Sequence, residues 1–238
     1  LTGVDREVIE KWLYVIVGLT FISGILGTGH HYYYIGVGRV WLIVGGIFSA
    51  MEPLAFLGMA LFAISMYRKG EKKHPNKIAL NWTLGTAIVS FVGAGLLGLA
   101  HTLPGVNMYT HGTLVTAMHG HLAFWGAYGM IVFAIISYTL PNLTGRKLYD
   151  SFTGLLAFWL ANIGMLGMTV AFGVAGVAQV YLERKVGLEF GEVQKEIQVH
   201  FVVLAACATM FTSGIVCYIY EFLKYGTPND EALLTTTN

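Results

Sequence analysis

The sequence predicts an all-α membrane protein of about six transmembrane helices. The first observation behind this is composition: 55% of the 238 residues are apolar, only 11% are charged, and mean hydropathy is +0.65. Soluble domains carry about a quarter charged residues, too many for this chain to match. The second is the arrangement of the apolar residues in six runs, roughly 8–34, 40–66, 78–101, 113–139, 152–178 and 197–223, each long enough to span with the ~20 residues a helix needs. The third is the 30 glycines, since small residues let helices approach closely in lipid.

The first run follows LTGVDRE and is too long for a signal peptide. The chain begins at Leu1 rather than Met, so the expectation is a piece of a larger assembly: a fragment, a processed product or a split subunit. YRKGEKKHPNK separates the second and third runs, LPGVNMYTHG the third and fourth, and PNLTGRKLYD the fourth and fifth. The charged stretch LERKVGLEFGEVQKE, between the fifth and sixth, is expected to form a short surface helix. No repeat, low-complexity tract or soluble domain interrupts the pattern, so residues 1–238 are expected to form a single transmembrane domain.

Orientation follows from the distribution of cations over alternate loops. Arg6, Lys11, Arg68, Lys69, Lys72, Lys73, Lys77, Arg146, Lys147 and Lys224 share one side. Arg39, Arg184, Lys185 and Lys195 share the other, with Glu183, Glu189, Glu192 and Glu196 beside the last three. Both termini are therefore expected in the cytoplasm. A net charge of +1 offers no basic field for nucleic acid. Cys207 and Cys217 share one run, about 15 Å apart if helical, too far for a disulfide. No CxxC pair, HExxH, Walker loop or nucleophile elbow is present.

Ionisable side chains inside spans are functional candidates by default. His74 lies in a cytoplasmic loop and reads as solvated, whereas two histidine pairs fall within the runs. His119 and His121, in TAMHGHLAFWGAY, point about 200° apart on an α-helix. They leave opposite faces and can hold one metal each, with Gly120 leaving room for two large macrocycles and Phe124, Trp125 and Tyr128 nearby. Bonding of both rings to neighbouring carbonyls is the alternative. His30 and His31, in GTGHHYYYIG, differ by about 100° of rotation. They can converge on one metal if the helix is distorted there, which Gly27 and Gly29 allow. Alternatively they sit at the headgroup level beside an aromatic belt of Tyr32, Tyr33 and Tyr34. Both pairs fall in the outer third of the membrane, so a site shared by His30, His31 and a haem on His119 is geometrically allowed. A roof would come from Asn107, Tyr109, Thr110, His111 and Thr113.

Glu52, in FSAMEPLAF, places a carboxylate midway along the second run, where burial without a partner is costly. Its uses would be proton carrier, metal-shell residue or partner to a cation; with no Lys or Arg deep in the runs, the proton role is favoured. His101, His111 and His200 near span ends read as hydrogen-bonded structural residues. The methionines read as packing or lipid-facing, and Asn162 and Gln179 as helix-to-helix hydrogen bonds.

The segments EKWLYVIVGL, GTGHHYYYIG, IFSAMEPLAF, KKHPNKIALNW, HTLPGVNMYTHGT and MHGHLAFWGAYGMI together resemble the large, cytochrome b subunit of the bacterial cytochrome c-dependent nitric oxide reductases, within the haem-copper oxidase superfamily. The resemblance covers essentially the whole chain and corresponds to the C-terminal half of that family's twelve-helix bundle. It implies that His30 and His31 ligate a non-haem iron, that His119 is the proximal ligand of a high-spin haem b and that His121 is an axial ligand of a low-spin haem b. Glu52 would deliver protons to the binuclear centre as two NO are reduced to N2O and water. It also implies two partners beside the lipid bilayer: the N-terminal half of the catalytic subunit, and a membrane-anchored cytochrome c subunit that supplies electrons. The remaining ligands of the non-haem iron and of the low-spin haem would come from helices before this chain begins. Competing readings are the quinol-dependent reductase, its NO-dismutating relative, an oxygen-reducing haem-copper oxidase, and a non-catalytic haem-binding membrane module. Glu52-Pro53 and the HPNK segment point away from the oxidase, the His-His pair with Glu52 away from the dismutase, and the YGTPNDEAL ending towards the cytochrome c type.

Overall fold

The computed structural model describes residues 4–70, 76–145 and 152–224. His74, Lys72, Lys73, Arg146, Lys147 and the YGTPNDEAL ending lie outside the described residues. Among the described residues every regular element is helical. Six stretches are long and apolar enough to cross a membrane: Arg6–Tyr32, Arg39–Lys69, Lys77–Thr102, Leu114–Leu143, Phe152–Val186 and Phe190–Lys224. Each overlaps the run expected from hydropathy.

Few of these spans are uninterrupted α-helices. The first is α1 (Arg6–Gly27), closed by a 3-10 turn over Thr28–Tyr32. The second breaks into α2 (Arg39–Ser49) and α3 (Glu52–Lys69), with Pro53 in the first turn of α3, where its missing N–H costs no helical hydrogen bond. In the third, α4 (Lys77–Ser90) passes through a π-turn at Phe91–Leu96 into α5 (Leu97–Thr102). After α6 (Pro104–Thr110), the fourth repeats the device: α7 (Leu114–Phe124), a π-turn at Trp125–Gly129, then α8 (Met130–Thr144). A π-turn inserts one residue and is frequent at functional sites. Here the two face each other: a Cβ on Gly93 would lie 2.7 Å from the Ala123 nitrogen, and one on Gly126 2.6 Å from the Ser90 nitrogen.

The last two spans differ from expectation. α9 (Phe152–Tyr181) runs on through a π-turn at Leu182–Val186, and α10 begins at Phe190 and reaches Lys224. The charged stretch therefore extends two long helices instead of forming a separate surface one. Glu, Lys and Gln are good helix formers, and the chain turns over residues 187–189, with Gly187 in the left-handed region at φ 81°.

Lipid gives no hydrophobic drive to bring helices together, so association rests on close packing and polar contacts. α10 lies along α9 with Gly214 against the Ala157 carbonyl and Gly164 against the Phe211 backbone. α9 in turn carries Gly176 against Leu114 and Val115 at the start of α7. Polar ties follow the expectation for Asn162 and Gln179: Trp125 Nε1 donates to Asn162 Oδ1 at 3.2 Å, and the Leu114 N–H donates to Gln179 Oε1 at 2.9 Å. Trp82, fully buried, centres an aromatic cluster with Trp125, Phe133, Phe158 and Tyr218.

Candidate metal centre

The histidine pair of the first span sits where α1 tightens into the 3-10 turn. The cause is a backbone crossing: Gly29 packs on Gly45 of α2, and a Cβ on Gly29 would lie 2.9 Å from Gly45 Cα. The tightened turn brings the His30 and His31 rings to 4.1 Å between centroids, tilted by 35°. The flanking tyrosines are not a simple lipid-facing belt. Tyr33 donates its hydroxyl proton to the Thr102 carbonyl at 2.7 Å, and the Tyr34 ring lies 5.0 Å from that of His111.

A cavity of about 510 Å³ opens between α1, α3, α5 and α7. His30, His31, Glu52 and His119 all line it, as do His101, Asn107 and His111. Much of its wall is small: Gly24, Ala55, Ala94, Gly98, Gly120 and Ala123. This leaves room beside His119 for a flat macrocycle, and a Cβ on Gly98 would already come within 3.4 Å of that imidazole. Of the expected roof, Asn107 and His111 border the cavity. Thr110 instead bonds the His101 ring, and Thr113 caps α7 by accepting from the Val115 N–H at 3.3 Å.

His121 leaves the other face of α7. It is exposed, outside the cavity, with its ring 4.8 Å from Phe172 of α9. Glu52 is half-buried, and its carboxylate lies against Gly27, where a Cβ would come within 2.9 Å of Oε1. No salt bridge to it occurs among the described residues.

Hydrogen bonding sets His101 apart from His30, His119 and His121, while His200 of α10 shares their one-nitrogen pattern, with Nδ1 3.2 Å from Ile197 O. A ligating imidazole uses one nitrogen for the metal and donates the other N–H to a carbonyl or carboxylate. His30 Nδ1 donates to Gly27 O at 2.8 Å, His119 Nδ1 to Gly93 O at 3.0 Å, and His121 Nδ1 to Ala117 O at 2.8 Å. Each keeps Nε2 for another partner. Gly93 belongs to the π-turn, which is how a carbonyl in mid-span becomes available to His119. His101 is different: Nε2 lies 3.2 Å from Val115 O and Nδ1 3.2 Å from Thr110 Oγ1, so both nitrogens are engaged. It walls the cavity with its ring 5.3 Å from that of His119.

The donor set suits iron or copper, both of which accept imidazole. Among the described residues no cluster of three or more His, Cys, Asp or Glu side chains is placed to hold a metal; the His30–His31 pair presents two adjacent imidazoles. Sequence reasoning missed Ser49, Gly93 and the deeply buried Glu221. Glu221 was legible as an acid within the sixth run; the other two carried no signal without the fold.

Residues 1–210 match the family model described as cytochrome c and quinol oxidase polypeptide I. The chain belongs to this family. Among its relatives, the nitric oxide reductase B subunit of Stutzerimonas stutzeri is 46% identical over 95% of this chain and 49% of its own length. The cytochrome c oxidase subunit 1 homolog of Agrobacterium tumefaciens is 27% identical over 92% of this chain and 42% of its own. The cytochrome bo(3) ubiquinol oxidase subunit 1 of Buchnera aphidicola is 28% identical over 66% of this chain and 25% of its own. The chain thus spans about half the length, or less, of these oxidase-family relatives. As a member of the family it is a helical, multi-pass membrane chain.

Proposed function

We propose that this chain forms half of the catalytic subunit of a nitric oxide reductase, joining two NO with two electrons and two protons into N2O and water. The observation that supports it best is the sorting of the histidines: His30, His31 and His119 share one cavity with Glu52, while His121 faces the other way from the same helix as His119. The relative with 46% identity carries the nitric oxide reductase name, which favours NO over oxygen as substrate.

In this reading His30 and His31 would hold a non-haem iron through their ring nitrogens, His119 would hold a high-spin haem b, and His121 would hold a low-spin haem b. Bound there, the irons would supply the redox chemistry for joining two NO. The chain's part is orientation: two metal sites on one cavity make N–N coupling intramolecular, where proximity contributes most. Glu52 holds a proton on its carboxyl at the cavity wall and releases it towards the reacting oxygen, as a general acid within reach of the site would. Electrons come from a membrane-anchored cytochrome c subunit, and the rest of the catalytic subunit supplies the missing ligands. Both termini of the chain face the cytoplasm in the inner membrane.

The test is the purified complex itself. Metal analysis should find iron beyond that in the haems, His31→Ala should remove it together with NO reduction, and both haem spectra should survive. Stoichiometric copper in its place would overturn the reading.

A further inference from the structure

Ser49 has no part in that chemistry, yet its geometry is the tightest around the histidine pair. It is the last residue of α2, just before the break that precedes Glu52, and it is fully buried. Its Oγ lies 2.5 Å from His30 Nδ1 and donates to Gly27 O at 2.9 Å, while the same Nδ1 lies 2.8 Å from Gly27 O. Three polar atoms close a triangle, and elementary chemistry decides where the protons go. A carbonyl only accepts, so Nδ1 must carry its proton to face Gly27 O at that distance. The Ser49 proton also goes to Gly27 O, which turns an oxygen lone pair of Ser49 towards Nδ1–H. The opposite tautomer would set the Nδ1 lone pair against the carbonyl lone pairs.

We infer that Ser49 is a positioning residue for metal binding at His30: its hydroxyl holds the Nδ1–H tautomer and fixes the ring so that Nε2 is the ligating nitrogen. The inference rests on the proposed reading that His30 binds a metal. Two facts make such a lock necessary. The terminal torsion of a histidine is broad and roughly two-fold, so an unheld ring can present either nitrogen. With the His31 ring only 4.1 Å away, a flip of His30 would also destroy the convergence of the pair. Which nitrogen is metallated follows from the hydrogen bond the other one makes.

Removing an outer hydrogen-bond partner of a metal-bound imidazole typically weakens metal affinity about 10–100-fold. Gly27 O would still hold Nδ1–H in Ser49→Ala, so the lower end applies: about a tenfold loss. The experiment measures release of non-haem iron from the whole complex into a chelator, together with the electron paramagnetic resonance signature of that iron and both haem spectra. Ser49→Ala should release iron about tenfold more readily and alter its signature, with the haem spectra unchanged. A purely structural serine would lower thermal stability and leave affinity and signature alone; that result overturns the inference. If Ser49→Ala fails to assemble, as lost haem would report, Ser49→Cys preserves the volume with a much weaker donor and acceptor, and the same expectation applies to it. Non-haem iron that survives His30→Ala would instead refute the reading beneath, and the inference with it.

Discussion

The crossing of Gly29 on Gly45 makes one substitution unusually informative. A Cβ at position 45 would stand 2.5 Å from the Gly29 carbonyl carbon and 2.6 Å from the His30 nitrogen, both backbone atoms that cannot rotate away. Ordinary contact begins at 3.4 Å, so Gly45→Ala must part the two backbones by about 1 Å, a displacement that costs on the order of 100-fold when a reacting group suffers it. Overpacking of this kind typically destabilises by about 1–3 kcal/mol, which a large bundle can absorb. The expected outcome is an assembled complex with normal haem spectra, because His119 and His121 sit on α7, and with non-haem iron and NO turnover severely reduced. Gly46→Ala is the internal control: its Cβ would meet only the Tyr33 hydroxyl, at 3.4 Å. The assay is metal content, haem absorption and NO consumption on the two variants side by side. Equal iron and equal turnover in both would show that the crossing does not set the histidine pair.

Further outcomes follow from the same geometry. His121→Ala should abolish the low-spin haem signal and His119→Ala should disturb the high-spin one; loss of the same haem in both would refute the opposite-face arrangement. Glu52→Gln keeps the shape against Gly27 but cannot carry a proton, so it should retain haems and iron while turnover falls about 10²–10⁴-fold. Retained turnover with lost iron would make Glu52 a metal-shell residue instead. Gln179→Leu leaves the Leu114 N–H at the start of α7 without its partner and should lower stability by about 1–3 kcal/mol; a thermal melt unchanged from wild type would remove Gln179 from that role. Trp125→Phe, which loses the bond to Asn162, should cost about 1 kcal/mol and leave His121 ligation intact, as absorption spectra of the variant would report.

Much of this was readable from the sequence because hydropathy is a one-dimensional signal in lipid. Every span overlaps the run where apolar length placed it, and the pairs His30–His31 and His119–His121 stand out because imidazoles in spans are rare. The distortion at the first pair was also legible, since Gly27 and Gly29 announce it. What escaped was everything made by backbone meeting backbone. Gly45 is one glycine among 30, and only the fold distinguishes its contact with Gly29 from the open space around Gly24. The π-turns at 91–96 and 125–129 leave no periodicity to read, because a single inserted residue is lost in a continuously apolar run. Ser49 looks like an ordinary small residue until its hydroxyl is seen beside His30. The misjudged stretch 182–196 shows the converse: charge marked it as outside the membrane, and its helix-forming side chains then carried two spans onward.

α7 is short, and both of its histidines ride on it as one stiff body. It is tied at its start to Gln179 and Gly176 of α9 and pinned after its end where Gly126 meets the Ser90 backbone. A strut clamped at both ends cannot let one imidazole travel without the other. Any strain that pulls His119 along the helix axis is delivered in full to His121, two residues away on the far side. His119 and His121 therefore share a mechanical reference frame, and the separation of any groups they would hold is set by two residues of backbone, little more than half a helical turn.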